Sequence, residues 1–356
     1  MVGARRARGT AATAYARFII RRVLLSVLVI LGVLVIVFFL ARVIPADPAG
    51  LWAGPHAPPE AVERARGELH LNDPLWTQFY YYIEGLSRGD LGISIRTHDP
   101  VWQDIVRTLP PTLELITASL ILSILVGIPL GVAAGIRQGS WVDHGMRFFA
   151  ISGVSVPSFW LAVILQLLFV TSLGLLPTNG YVSETVLLTY PLKRVTGSIF
   201  VDALTQGNVR VLADWFWHLI LPAITLASYP VGLVARMVRT MMIEVLGENY
   251  IRTAKAYGLP ARFVHYRYAL KNAVAPAIVA LGLSFAYSLT GAFLIEYIFA
   301  WPGIGQFAWY SSITFDYPAI LGVALVVAIF YVVVNLAVDL LQAFLDRRIV
   351  LEKREA

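Results

Sequence analysis

The sequence predicts an all-α membrane protein with six transmembrane helices, both termini cytoplasmic, and a small external segment after the first helix. Three observations carry that expectation. Of 356 residues 58% are hydrophobic and only 14% are charged, whereas soluble domains are about one-quarter charged. The charges are also absent from six well-spaced runs, 23–41, 115–136, 148–172, 215–235, 272–295 and 317–338. A helix needs roughly 20 apolar residues to cross a hydrocarbon core about 30 Å thick, and helices satisfy every backbone group internally in lipid. Finally, basic residues gather on alternate connections. Of the 28 Lys and Arg, 19 lie in 1–22, 137–147, 236–271 and 345–356, and 9 lie in 42–111, 174–214 and 296–316. Positive charge is retained on the cytoplasmic side, so the first set reads as cytoplasmic and the second as external.

Each element follows in order. Residues 1–22 form a cytoplasmic N-terminus and 23–41 the first span. This Arg-rich, then apolar start resembles a signal peptide, but its apolar core exceeds the usual 7–15 residues and no A-x-A site follows. It reads as a retained span. The external segment 42–111 is Pro-rich, holds nine acidic residues from Asp47 to Asp104, and has helix-like pieces around 59–69 and 75–86. Its Trp52, Trp76, Tyr80, Tyr81, Tyr82 and Trp102 suit a membrane interface. They serve either packing against the spans or docking of an external protein. The second span, 112–136, carries Gly127, Pro129, Gly131 and Gly135, small residues that let helices approach closely. The third, 148–173, contains Ser155-Val-Pro-Ser-Phe-Trp160, where Pro157 predicts a kink. An external loop over 174–214 holds Pro177, Asn179 and Gly180. The fourth span, 215–235, carries Pro222 and Pro230, and the longest cytoplasmic loop, 236–271, follows it. The fifth span, 272–296, ends at Glu296. A short external turn, Ala300-Trp-Pro-Gly-Ile-Gly305, leads to the sixth, 317–338, and a cytoplasmic tail over 345–356.

Several function classes are excluded. There is no cysteine, hence no disulfide framework, iron–sulfur cluster or cysteine-based zinc site. The phosphate-loop pattern G-x-x-x-x-G-K-[ST] is absent, so the chain itself should not bind ATP. Six scattered histidines (56, 70, 98, 144, 218, 265) form no metal pattern, and His218 reads as an interface residue. No catalytic constellation, metal site or cofactor is expected, and the chain is not read as an enzyme. The net charge of +6 follows membrane sidedness and does not indicate nucleic acid. Glu114, Glu296 and Asp339 lie near predicted span ends, where water or snorkelling eases their cost, and they read as structural. A mid-span carboxylate, which a proton-coupled carrier would need, is missing.

The loop 236–271 is the most specific part of the chain. It reads Glu248-Asn-Tyr-Ile-Arg-Thr-Ala-Lys-Ala-Tyr-Gly258-Leu-Pro260, with helix-forming composition to Ala256 and Gly258 placed as a stop. A second basic helix leads back to the membrane through Leu270-Lys-Asn-Ala273. A short helix held between two spans is either a rigid peg for a cytoplasmic partner's groove or a solvated connection.

This loop resembles the EAA loop of ABC-importer permeases, in the oligopeptide/dipeptide/nickel branch. Gly258 matches the motif glycine, and Arg252-Thr-Ala254 stands where Glu-Ala-Ala stands in other importers. Arg21-Arg22, Ile44-Pro-Ala-Asp-Pro48, Gly85-Leu-Ser-Arg-Gly-Asp-Leu-Gly92, Leu109-Pro-Pro-Thr-Leu-Glu114, Val156-Pro-Ser-Phe-Trp160 and Phe299-Ala-Trp-Pro-Gly-Ile-Gly305 are similar too. The chain is most like the first of the two permeases, over about 18–348. The resemblance implies the type I importer fold in the plasma (inner) membrane. It also implies a second homologous permease, two cytoplasmic ATPase subunits and an external substrate-binding protein, with short peptides as cargo. Nickel chelates, glutathione, opines or oligosaccharides are the cargo alternatives, and an ATP-independent secondary carrier is the alternative from another class. By the same resemblance, Glu248, Arg252, Thr253, Ala254, Gly258, Leu259, Leu270 and Asn272 form the ATPase-coupling loop. Residues lining the pathway cannot be assigned from one sequence, although 155–160 and 284–290 are candidates.

Overall fold

The computed structural model describes residues 2–43, 47–54 and 56–345. The expected tail over 345–356 lies outside them except for Leu345, as do Ile44, Pro45 and Ala46. Among the described residues the regular secondary structure is all helical, apart from one isolated bridge between Ile93 and Pro100. Helix α1 covers Val2–Val43. The connection after it holds α2 (Pro48–Ala53), α3 (Pro59–Glu68) and α4 (Leu75–Ser87), the last two where composition placed helical pieces. Next comes α5 (Val101–Ile136), with a π-helical stretch at Ser123–Gly127. Helices α6 (Trp141–Ser155) and α7 (Ser158–Ser172) are bent by 105° to one another. Pro157 between them therefore breaks the helix instead of kinking it. Short helices α8 (Glu184–Thr189) and α9 (Ile199–Thr205) precede α10 (Val209–Leu246). Then follow α11 (Asn249–Ala256), α12 (261–273), α13 (Ala275–Ile298), α14 (Ile304–Ile313) and α15 (Tyr317–Leu345). Among the described residues five helices, α1, α5, α10, α13 and α15, are long and apolar enough to cross a membrane; α6 with α7 makes a sixth if the bent pair counts as one span.

Three elements differ from expectation. The second long helix begins at Val101, well before residue 112, and takes Pro110 and Pro111 into its interior. Each proline lacks an N–H and frees the carbonyl four residues back. Those carbonyls, of Val106 and Arg107, face the turn at Gly197, which has φ +79 and where a Cβ would lie a tight 3.2 Å from Val106 O. The fourth long helix was expected over 215–235 but has 38 residues, about 57 Å at 1.5 Å per residue. The connection expected over 296–316 contains a whole helix, α14, after the turn at 300–303.

Helix α10 is the axis of the packing. Its first half belongs to a buried cluster with Val101, Ile105, Leu115, Tyr181, Ile295, Trp301 and Ile304, through Val211, Trp215, Leu219 and Leu226. Its second half belongs to a separate cluster, through Val234, Val238, Met242 and Val245. Apolar side chains gain little by leaving lipid for protein, so close van der Waals packing must hold such helices together. Glycine supplies it. A Cβ at Gly131 of α5 would lie 2.6 Å from Ala235 O, and one at Gly135 would lie 2.6 Å from Met242 Cβ. On the other flank, Gly153 of α6 and Gly232 of α10 meet backbone at 2.7 Å in the same sense.

The two ends of the bundle are built differently. At one end, here the loop end, buried carboxylates fasten the connections. Glu296 is fully buried and accepts from Thr112 Oγ1 at 2.6 Å, Gly305 N at 2.7 Å and Gln306 N at 3.1 Å. It thereby caps α14, and Trp301 Nε1 donates to Pro111 O at 2.8 Å beside it. Glu296 is thus far from water, contrary to the expectation for a span-end residue, because residues 300–306 fold back over it. Glu114 accepts from Tyr181 OH at 2.5 Å, Trp215 Nε1 at 2.9 Å and Ser198 Oγ. Asp316 accepts from Ser94 Oγ at 2.5 Å and Arg96 N at 3.1 Å. His218 sits in this region too, with Nδ1 2.8 Å from Asp214 O. At the opposite, basic end the fastening is ionic: Arg239 of α10 holds buried Asp143 of α6 with both Nε and Nη2, and Arg22 pairs with Asp339 at 2.9 Å.

If the α5–α10 contact sets the fold, Gly131→Ala should lower the thermal midpoint in detergent by the equivalent of about 1–3 kcal/mol of overpacking. Gly32→Ala, where a Cβ meets nothing within 4 Å, should leave it unchanged.

Candidate functional site

The eight residues singled out in the loop after α10 come together at the basic end. Helix α11 has only eight residues, too few to persist alone in water, so its packing must hold it. Ile251 and Ala254, one turn apart, are buried in the cluster formed by Met242, Val245, Val264, Ala269 and Ala273. Leu259 and Leu270 pack against the same cluster. The opposite face, Glu248, Arg252, Thr253, Lys255 and Tyr257, is exposed, with Tyr257 at 83%.

The end of α11 is closed by a Schellman motif, in which two crossed backbone bonds satisfy the last carbonyls. Gly258 N donates to Lys255 O at 2.9 Å and Leu259 N to Ala254 O at 3.3 Å. The motif needs a left-handed residue, and Gly258 has φ +73. Tyr250 and α12 are joined by Asn272, whose Nδ2 donates to Tyr250 OH at 2.8 Å and to Tyr268 O at 3.4 Å. Thr253 Oγ1 bonds back to Asn249 O at 3.0 Å. The site residues therefore divide by physical role. Glu248, Arg252, Thr253 and Gly258 lie on the surface, while Ala254, Leu259 and Leu270 seat the helix and Asn272 braces it.

Sequence reasoning passed over Ile251, Tyr250 and Tyr257. Ile251 had a signal, since it stands i, i+3 to Ala254 in an otherwise polar segment. The bracing role of Tyr250 had none, because it depends on a residue 22 positions away. With Arg262, Arg267 and Lys271 also exposed, the arrangement is a rigid, mostly cationic peg.

A second feature lies where α6 breaks into α7. A cleft of about 430 Å³ opens between Ser158, Leu289, Thr290, Phe293, Ile304 and Val327. Residues from both stretches named as pathway candidates, Ser158 from 155–160 and Leu289 and Thr290 from 284–290, line it. Its wall is mainly apolar.

A family model described as "Binding-protein-dependent transport system inner membrane component" matches residues 127–351. A second, for the N-terminal part of such membrane components, matches residues 15–116. The "Probable D,D-dipeptide transport system permease protein DdpB" of Escherichia coli (strain K12) is 46% identical over 323 residues, 91% of this chain and 94% of that protein. The "Dipeptide transport system permease protein DppB" of Alkalihalophilus pseudofirmus is 39% identical over 332 residues, 93% of this chain and 98% of that protein. The Escherichia coli (strain K12) protein of the same description is 39% identical over 336 residues, 94% and 98% of the two chains.

The peg also carries a half-buried histidine, His265. Burial, and then the charge of Lys255, push the His265 imidazole below its ordinary range, which lies near 6.5. The neutral ring is favoured in the fold, so the stability it contributes is present above the unfolded-state value and is lost as pH falls through the folded one. Protection of the amides across 249–273, relative to their intrinsic exchange at each pH, should therefore fall as pH drops below about 6.5, and His265→Gln should flatten that dependence.

Proposed function

This chain belongs to the family of binding-protein-dependent transport system inner membrane components, and from that membership we propose that it is one permease subunit of an ATP-driven importer of short peptides. It forms half of the translocation pathway, opposite a second homologous permease. An external binding protein delivers cargo at the loop end, and two cytoplasmic ATPase subunits sit at the basic end. Both termini are cytoplasmic in this arrangement. The supporting observation is electrostatic: along the sequence, the segments 1–22, 137–147, 236–271 and 345–356, which alternate with 42–111, 174–214 and 296–316 across the long apolar runs, hold 19 of the chain's 28 Lys and Arg, the sign retained inside. Short peptides are the cargo that the relatives' descriptions name, and a cleft with few polar groups suits a pathway that leaves selection to the binding protein.

The observation that carries the reading is the geometry of α11. A helix seated by Ile251 and Ala254, ended by Gly258 and joined to the 38-residue α10 by only Gly247 and Glu248 moves with that helix. Glu248, Arg252, Thr253, Ala254, Gly258, Leu259, Leu270 and Asn272 form the coupling unit, the exposed members touching the ATPase and the buried ones relaying its movement. Closure of the ATPase subunits on ATP biases the bundle between two states, as coupling requires. The ATP is hydrolysed in those separate subunits, and the cleft at the α6–α7 break is the stretch of pathway this subunit contributes.

Pull-down of tagged chain from native membranes in mild detergent should bring a second permease and ATP-hydrolysing subunits. Arg252→Glu combined with Gly258→Glu should cut the co-purifying ATPase about tenfold, the effect of losing roughly 1.4 kcal/mol of docking free energy. A chain that purifies alone and moves solute without ATP overturns the reading.

A further inference from the structure

A second cleft, of about 210 Å³, lies at the loop end between the outer part of α1, helix α4, the start of α15 and the Gly85–Gly92 turn. Three of its lining side chains hold buried polar atoms with no hydrogen-bond partner among the described residues: Arg42 Nε, Gln78 Oε1 and Tyr82 OH. Gln78 is itself only 7% exposed. Its Nε2 is anchored to Asp73 O at 2.8 Å and Leu71 O at 3.4 Å, which leaves the oxygen unpaired. The Arg42 guanidinium stacks over the rings of Phe38 and Tyr317 at 5.4 and 5.8 Å and makes no ion pair among the described residues. Burial pushes the Tyr82 phenol up to about 12, so its hydroxyl keeps its proton at neutral pH. Buried polar groups left unpaired are rare in native proteins and each asks for a partner.

The position of this cleft says what the partner is. It uses Tyr317, Pro318 and Leu321 of α15, whereas the wide cleft uses Ile320, Val323, Ala324 and Val327 of another face of that helix. It is therefore separate from the proposed pathway. Beside it, α1 presents Ile36 and Leu40 about 60% exposed, and α4 presents Trp76 and Tyr80 at 73% and 63%. Exposed aliphatic side chains followed by exposed Trp and Tyr mark the level where acyl chains give way to headgroups.

We propose that this cleft binds the headgroup of a phospholipid, with Arg42 and Tyr82 donating to its phosphate and Gln78 Oε1 accepting from a donor on the headgroup alcohol. Arg with a hydroxyl is a strong phosphate-binding pair, and basic pockets between transmembrane helices recognise lipid headgroups. The Gln78 acceptor adds selectivity, since ethanolamine and glycerol headgroups carry N–H or O–H donors and choline carries none. Bound there, the lipid bridges α1, α4 and α15.

The test is native mass spectrometry of the whole assembly, delipidated and titrated with phosphatidylethanolamine, phosphatidylglycerol and phosphatidylcholine of identical chains. One ethanolamine or glycerol lipid should be retained per chain about tenfold more tightly than the choline lipid, a difference of ~1.4 kcal/mol. Arg42→Gln should weaken retention of all three lipids, Gln78→Met should abolish the preference, and Tyr82→Phe, which removes one oxygen and keeps the packing, should weaken retention several-fold. Equal retention of all three lipids, or variants that bind as the parent does, would overturn the proposal. Displacement of the lipid by inorganic phosphate alone would also overturn it, by showing that the site reads free phosphate.

Discussion

The close approach of α5 and α6 to α10 is the contact on which the other features depend. Lipid provides no hydrophobic penalty for leaving helices apart, so surfaces must fit closely enough for dispersion forces to hold them. Gly131, Gly135 and Gly153 remove the atoms that would keep the backbones apart. Once α10 is clasped on both flanks, its two halves nucleate two separate cores, one toward each end. A rigid rod with a core at either end is a means of carrying displacement from one end to the other.

The ends then differ as their tasks do. At the loop end Glu114, Glu296 and Asp316 each gather hydrogen bonds from a different connection. None needs a cation partner, because backbone N–H groups and hydroxyls supply the donors. Removing such a carboxylate strands several buried donors at once, which costs far more than the net worth of any one bond. The loop end is thereby fixed as a unit. At the basic end α11 is held by apolar seating and a helix stop, and its charged face is left open. The connections of one end are tied together by buried carboxylates, and the other end presents an exposed charged helix face.

Much of this was legible in the sequence. Uncharged runs mark the long helices, because a charge within lipid is costly. Gly258 is legible because a left-handed stop leaves few residue choices, and the small residues of α5 because helix contacts in membranes favour them. Pro157 marks the break, although the 105° bend exceeds what one proline indicates. The full length of α10 was hidden because Arg236 and Arg239 interrupt the uncharged run. Arg239 is held in the helix by Asp143, 96 residues earlier, and no local pattern shows that pairing. Glu296 was misplaced for a related reason. Its burial depends on the turn at Ala300, a non-glycine residue at φ 49, which brings Gly305 and Gln306 back to the carboxylate. The prolines of α5 misled in the same way, since their freed carbonyls find company only in the tertiary structure.

If the exposed face of α11 meets an ATP-hydrolysing subunit, as proposed, a crosslinker placed on that face reaches it. The chain's lack of cysteine makes a direct test clean: Tyr257→Cys, carrying a short photoreactive maleimide, crosslinked in native membranes. The expected result is an adduct with the ATPase subunit and no reaction of that cysteine with membrane-impermeant maleimide added outside intact cells. An adduct with the external binding protein, or labelling from outside, would contradict it.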